Sequence, residues 1–380
     1  MLKVAIIYHM WPHYRRAVME SLDRNPQIEF VFVGSGVETE GIKHVDPSVV
    51  RHFWIAPYRK WKRLYWQPRA ISIALKDDFD ALIFLGNPNF VSTWVAAFIA
   101  RLRGIPVLFW EHGWRRRERR LKSFLRLGFF RIANRMLVYA PRAKALGAQA
   151  GYQKERIDVV YNSLDTHVAD ELYRQIAHGE LSSLKPASFF TNKNLPVIIC
   201  TARITKHCRF DLLLRAALSL QQVSFPINIL LIGDGPERQK LEILANTLGV
   251  NVYFFGACYD ELVLAQLIYG SEITVSPGKV GLTAMHSMMY GTPVITHDND
   301  DEQMPEVAAI HQGRTGARFK YDDAESLAYV IRQWLTSAPD RAVVREHCRQ
   351  EIQARWHPDV QANIIEKSVL RAINAKTSVK

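Results

Sequence analysis

The stretch Ser276–Thr296, SPGKVGLTAMHSMMYGTPVIT, sets a glycine-bearing turn (Lys279–Leu282) directly before a helix-forming run. The first N–H groups of a helix have no partner of their own and lie at the positive end of its dipole, so such a turn suits an anion such as a diphosphate. Lys279 adds a cation there, either for a ligand or as a solvated loop lysine, yet the stretch contains no Asp or Glu. A second stretch, Thr201–Ala216 (TARITKHCRFDLLLRA), places Arg203, Lys206 and Arg209 after an apolar run. Long cations at a strand end can offset phosphate charge; each also fits an ordinary surface role. In GDGPE (233–237), Gly233 and Gly235 allow a tight turn, and Pro236 opens a helix where its missing N–H costs nothing. Asp234 reads as a turn and cap residue.

Nearer the start, His112 lies in EHG (111–113) after an apolar run, either facing a ligand or satisfied structurally with Glu111 as a partner. In HMWPHYRR (9–16), Tyr14, Arg15 and Arg16 can meet an anionic group, or open a helix whose arginines face water. The four cysteines form no CxxC pair, which argues against a zinc site or a disulfide framework and fits a reducing compartment. "DND" (298–300) has no evident metal partners, and no DxD-like pair stands at a strand end, so no metal is expected.

The formal charge of +12 is concentrated. RRRERRLKSFLRLGFFR (115–131) carries eight cations and one Glu, with Leu121, Phe124, Leu125, Gly128 and Phe129 at roughly helical spacing. PYRKWKRLYWQPR (57–69) mixes five cations with aromatics. Two readings stand: apolar residues facing the core beneath solvated arginines, or a surface that meets anionic lipid. Nucleic acid is disfavoured, because no RNP, zinc-finger or helix-turn-helix signature accompanies the charge. No apolar run approaches the roughly 20 residues of a membrane span.

These residues need strands to hold them. Short apolar runs recur at 3–8, 30–35, 81–86, 106–111, 136–140 and 157–162, then again at 196–203, 227–235, 252–257, 273–278 and 293–297, with helical patterns between. Continuous apolar runs joined by helices are the signature of buried parallel strands. The expected fold is α/β: two Rossmann-like doubly wound domains facing a central cleft. The expected organisation is an N-terminal Rossmann-like domain over 1–177, a polar linker over 178–195 and a C-terminal Rossmann-like domain over 196–355. A C-terminal helix over 356–380 is placed to pack back on the first domain.

Five loops carry a resemblance. TARITKHCRFDLLLRA, LLIGDGPERQKLE and VSPGKVGLTAMHSMMYGTPVIT, with EHG and YNSLDT (161–166), are similar in kind and order to retaining glycosyltransferases of the GT-B fold. The resemblance is to the glycosyltransferase family 4-like group of bacterial cell-surface polysaccharide synthesis, and it covers most of 100–320. It implies sugar transfer from a UDP-, GDP- or dTDP-sugar to a lipid-linked or polysaccharide acceptor, with no cofactor, no metal and retention of configuration. The family's last loop has a Glu, seven residues and a second Glu before AMAxGxPV. SMMYGTPV (287–294) fixes the register, putting Gly278 at the first acid and His286 at the second. Both acids are absent. The first would approach the donor sugar and the second would grip the ribose, a contact that His286 can still make.

The resemblance also implies that Arg203, with Lys206 or Arg209, Lys279 and the Gly281–Leu282 backbone, binds the diphosphate. The ungapped position of the family's Lys is Cys208. Gly233, Ala257 and Cys258 fall near the nucleotide, Gly278 and His112 near the donor sugar, and Tyr14, Arg15 and Arg16 near the acceptor. His112 and Arg203 are the residues expected to act in catalysis. The expected place is the inner face of a bacterial cytoplasmic membrane, peripherally bound. Two rivals share the architecture: a sugar-nucleotide 2-epimerase-like enzyme and a non-catalytic binding protein.

Overall fold

The structure, a computed structural model, describes residues 1–36, 43–116, 120–181, 184–337 and 339–377, without the side chains of 120–122 and 376–377. The chain divides into two compact units, residues 1–165 with 356–380, and residues 166–355.

Unit 1 is built on β1 (Leu2–Ile7), β2 (Ile28–Gly34), β3 (Phe53–Ile55), β6 (Ala81–Leu85), β7 (Val107–Trp110), β8 (Arg135–Val138) and β9 (Ile157–Val159). A short antiparallel hairpin, β4 (Arg59–Trp61) and β5 (Leu64–Trp66), stands apart from this sheet. The seven strands run parallel in the order β3-β2-β1-β6-β7-β8-β9. Side chains alternate faces along each strand. Ala5, Ile7, Leu82 and Phe84 enter one core, and Val4, Ile6, Ala81 and Ile83 the other. The first core is roofed by α2 (Pro68–Lys76), α3 (Val91–Leu102), α4 (Arg120–Phe130) and α5 (Pro141–Gln149), and the second by α1 (Arg16–Asp23) and a C-terminal helix described below. Burying each large aliphatic or aromatic side chain contributes about 1.5–3 kcal/mol, so a sheet covered on both faces needs strands that are apolar throughout.

Unit 2 repeats the plan with β10 (Val197–Thr201), β11 (Asn228–Ile232), β12 (Asn251–Gly256), β13 (Ile273–Ser276), β14 (Val294–His297) and β15 (Gly316–Phe319). All six are parallel, in the order β12-β11-β10-β13-β14-β15. Its helices are α6 (Thr166–Ala177), α7 (Phe210–Gln222), α8 (Arg238–Leu248), α9 (Glu261–Gly270), α10 (Leu282–Met289), α11 (Ala324–Ser337) and α12 (Arg341–Glu351). The last helix, α13 (Pro358–Thr377), belongs to unit 1, where Ile365 and Val369 are fully buried in the second core.

The boundary differs from the expected one. Helix α6, assigned from sequence to the first domain, packs on α9 and α10, with Tyr173 against Tyr269 and Arg349 over the Tyr173 ring at 3.8 Å. Of the segment expected as a linker, 178–195, the part over 184–195 lies along unit 2: Asn228 Nδ2 donates to the Asn192 carbonyl, and Phe189 packs on Tyr253. Polar composition marked it as a connector, but Phe189 and Phe190 dock on the edge strand β12.

In each sheet the chain reverses its direction of growth between two neighbouring strands, β1 and β6 in unit 1, β10 and β13 in unit 2. Ligands of open α/β sheets bind outside the carboxyl ends of the strands at such a switch point.

Candidate active site

At the switch point of unit 2, four loops are welded together largely by backbone. After β10, Ile204 N–H donates to the Asp234 carbonyl at 2.9 Å, and Ala202 N–H donates to Ile232. Gly233 has φ +140°, and a Cβ there would stand 1.9 Å from the Ala202 carbonyl oxygen; one on Gly235 would stand 2.2 Å from that of Ile204. Those close approaches, rather than any side chain, fix GDGPE. Asp234 accepts from Gly235 N–H at 2.6 Å, the turn role expected of it. Gly233 N–H reaches the Gly256 carbonyl at 2.7 Å, which brings the loop bearing Ala257 and Cys258 alongside.

The β13 loop closes onto the same cluster. Gly278 N–H donates to Cys208 and Lys279 N–H to His207, at 3.0 and 3.3 Å. A Cβ on Gly278 would lie 1.9 Å from the His207 carbonyl oxygen. The first family acid therefore has no room here: the backbone of 207–208 occupies its place. Buried Gln303 accepts from Val280 N–H at 2.9 Å and donates to Thr296 Oγ1 and the His297 carbonyl, pinning the turn. Thr283 Oγ1 donates to the Thr201 carbonyl, tying the first turn of α10 to the end of β10. The N–H groups of Gly281 and Leu282 meet no acceptor among the described residues, and space is open beside Gly281.

The cations divide by what holds them. Arg203 is exposed and Lys206 is exposed, and no carboxylate pairs with either among the described residues. Arg209 is committed to Asp211 at 3.1 Å and Asp322 at 2.7 Å, which removes it from the choice between Lys206 and Arg209. Lys279 lies 3.5 Å from Glu302.

His286 has a partner that sequence reasoning missed. Its Nε2 lies 2.8 Å from Glu261 Oε1, and the buried Tyr290 hydroxyl donates to the same oxygen at 2.5 Å. Burial pushes the Glu261 pKa up, but the hydrogen bonds from His286 and Tyr290 outweigh it and hold the carboxyl below its ordinary value. The only sequence hint was a Glu following the Asp260 cap at the start of a helix.

A cavity of about 1020 Å³ opens at the opposite, amino-terminal edge of this sheet, lined among others by Pro196, Phe225, Glu272, Arg341 and Arg345. Its guanidinium groups are taken up by Glu272 and by the carbonyls of Tyr269, Ser271 and Tyr290. It lies away from the strand ends where the loops converge.

Unit 1 arranges its own switch-point residues differently. Arg15 is buried, stacked on the faces of Tyr8, Trp110 and Tyr139 and hydrogen bonded to the Tyr139 hydroxyl, with no carboxylate paired to it among the described residues. Arg16 is exposed and paired with Glu20 at 2.7 Å, so of the two arginines it is the one that faces water. Tyr14 is half-buried. His112 packs edge-on against Tyr139, 4.9 Å between ring centres. Burial, with the charges of Arg115 and Arg15, pushes its pKa down to about 4, so its imidazole is neutral at pH 7. Burial likewise raises the Glu111 carboxyl, against the pull of Arg126 and of the His112 backbone N–H. Gly113, at φ +68°, sits where a Cβ would meet Val138 at 2.8 Å, which explains the glycine of EHG.

Both halves match glycosyltransferase family models: "Glycosyltransferase Family 4" over residues 21–168 and "Glycosyl transferases group 1" over 183–351. The chain belongs to the GT-B glycosyltransferases. The crystal structure of Alr3699/HepE from Anabaena in complex with UDP is similar to this GT-B chain with a TM-score of 0.71 and 13% identity, over 98% of this chain and 100% of that one. The lipopolysaccharide outer core galactosyltransferase WaaB in its apo form gives 0.70 and 13%, over 97% and 99%. In sequence, this glycosyltransferase is 26% identical to the lipopolysaccharide core biosynthesis glycosyltransferase LpsE of Rhizobium meliloti (strain 1021) over 210 residues, 55% of the chain. The match spans 56% of the length of LpsE.

Proposed function

We propose that the protein transfers a sugar from a nucleotide-sugar donor to a lipid-linked or polysaccharide acceptor in cell-envelope glycan synthesis, with retention and without a metal. The observation that carries this is the unit 2 cradle: two exposed cations, Arg203 and Lys206, with no carboxylate partner among the described residues, beside a helix start whose Gly281 and Leu282 N–H groups meet no acceptor among them. A leaving diphosphate gains negative charge as the bond from the sugar C1 breaks. Fixed N–H groups and an arginine stabilise that charge as preorganised dipoles stabilise an oxyanion, and charge-assisted bonds to phosphate are the strong ones. The relatives named for UDP complexes and lipopolysaccharide core synthesis support the same reading. His112, neutral and half-buried, faces the donor sugar in this proposal, and Arg15 and Tyr14 serve the acceptor side.

The proposed place is an anionic membrane surface. No helix among the described residues is long and apolar enough to cross a membrane. Support comes from one side of unit 1. The β4–β5 hairpin exposes Trp61 (70%), Leu64 and Trp66 among the exposed Arg59, Lys60, Lys62 and Arg63. Neighbouring α3 exposes Val91, Val95, Phe98 and Leu102 along one stripe, and α4 exposes Phe124 and Leu125. Phe129, read from sequence as part of that lipid-facing set, is instead buried in the core against Trp94. Leu121 and residues 117–120 of the basic run have no described side chains. Aromatics interleaved with cations suit a headgroup layer, where each Lys or Arg contributes about 1 kcal/mol.

The test is incubation with UDP-, GDP- and dTDP-sugars, with and without a polyprenyl-linked acceptor, following glycosylated product. Transfer to the acceptor is expected; release of a 2-epimer, or binding with no turnover, would replace this reading with one of its rivals. Flotation with anionic and neutral liposomes across a salt series tests the membrane part. Binding to anionic vesicles that weakens with salt is expected, and indifference to them would return the basic stretches to solvated faces.

A further inference from the structure

We infer that Glu261 is the carboxylate that recognises the ribose of the nucleotide, and that His286 and Tyr290 position it. The inference rests on the donor reading above and names the residue that performs one part of it.

Glu261 is the first residue of α9, directly after the loop that carries Ala257 and Cys258. Its side chain is bonded from α10, whose first turn carries Gly281 and Leu282. It thus bridges the two elements that, in the proposed pose, flank a nucleotide: the loop for the base and the helix start for the diphosphate. In any nucleoside diphosphate the ribose lies between those two groups. A vicinal diol offers two O–H donors, and an ionised carboxylate is an acceptor-only group that can take both.

The bonding pattern leaves capacity for that. His286 and Tyr290 both converge on Oε1, while Oε2 makes no hydrogen bond among the described residues, and the side chain keeps 41% of its exposure. Two donors on one oxygen orient the group and favour its ionised form, so its second oxygen is presented already charged. The arrangement also accounts for the lost acid. The sequence register puts the family's second Glu at position 286, and here the carboxylate stands on the preceding helix and is steered by the histidine at that position. A purely structural pair tying α9 to α10 would not discriminate between sugars, and that difference is what an experiment reads.

The experiment measures binding of UDP and GDP to the full chain by calorimetry, then of the 2′-deoxy and 3′-deoxy forms of the tighter one. Wild type is expected to bind the ribonucleotide at least tenfold tighter than either deoxy form. Glu261→Gln is expected to weaken the ribonucleotide by tenfold or more and to shrink that preference below about threefold. His286→Gln and Tyr290→Phe are expected to reduce the preference less, and Glu261→Asp to fall between. Equal binding of ribo and deoxy forms by wild type overturns the inference without needing any variant to fold. So does an intact preference in folded Glu261→Gln, while the donor reading survives. Failure of wild type to bind UDP or GDP rejects this assignment, and failure to bind dTDP as well rejects the donor reading with it.

Discussion

The loop after the first strand of each unit delivers an arginine to the switch point, and the two arginines end in opposite circumstances. In unit 1, Arg15 is drawn inside and held by three aromatic faces and a tyrosine hydroxyl. In unit 2, Arg203 stays in solvent with no carboxylate paired to it among the described residues, while the backbone on either side of it is bonded to Ile232 and Asp234. A buried guanidinium loses its hydration and regains part of that energy from ring quadrupoles. An exposed one keeps its charge for whatever arrives. Backbone bonds hold both loops, in unit 1 from Ser35 N–H to the His9 carbonyl, from Val45 N–H to that of Trp11 and from His13 N–H to that of Lys43, so the difference lies in the arginines: one is spent inside its loop and the other is left facing solvent. Shared topology sets where a site can be; these choices set what it can do.

The sharpest way to break that contrast is to add a side chain where backbone does the holding. Gly278→Glu restores the residue the family resemblance calls for, but its Cβ would meet the His207 carbonyl at 1.9 Å. We expect a loss of about 3–5 kcal/mol in stability with collapse of donor binding, since strain against backbone cannot relax cheaply. A thermal melt close to wild type would show the loop to be softer than its contacts suggest. Next in size, Arg203→Ala should lower kcat/KM by about 10- to 1000-fold, roughly 1.4–4 kcal/mol, with an unchanged melting temperature. Arg15→Met should do the reverse, shifting the melting temperature while leaving nucleotide affinity alone. If Arg15→Met weakens nucleotide binding tenfold, the two edges do not divide the work as described.

A smaller effect is expected from pH. His112 has a folded pKa of about 4 against an ordinary 6.5, so it favours the folded state fully above pH 6.5. That contribution falls away as the pH drops through the folded pKa. At about 1.4 kcal/mol per unit, and discounted for its partial exposure, roughly 2–3 kcal/mol should be lost between pH 6.5 and 4. Denaturant titrations across this range should show the slope in wild type and a shallower one in His112→Gln; matching slopes would place the acid sensitivity elsewhere. The smallest expected effect is of EDTA. Treated protein should keep most of its transfer activity, and a loss reversed by Mg²⁺ or Mn²⁺ would mean that Arg203, Lys206 and the helix start do not suffice.

The strands were legible because two-sided burial demands uninterrupted apolar runs, and Val4–Ile7, Leu82–Phe84 and Ile229–Ile232 supply them. The strands that escaped are short, exposed or charged. β3 and β15 are sheet edges, and the hairpin β4–β5 carries the basic patch that composition showed only as charge. The allegiance of α6 was hidden because helical periodicity marks an apolar face without naming what it meets. In the candidate site, GDGPE, EHG and the turn at Gly281 could be read because glycine positions report local backbone. Glu261 could not, since it meets His286 only after the chain passes along α9 and through β13. Arg209 looked equivalent to Lys206 until Asp322, 113 residues away, proved to hold it.

The contact between Gly278 and His207 also constrains the history available to this chain. An acid cannot return to position 278 while the 207–208 peptide lies against it, and that peptide has no reason to withdraw while position 278 is glycine. Each state protects the other, so the path back requires two changes whose first step is harmful alone. Descendants of this sequence are then expected to explore new carboxylate positions on neighbouring helices sooner than they recover the old one.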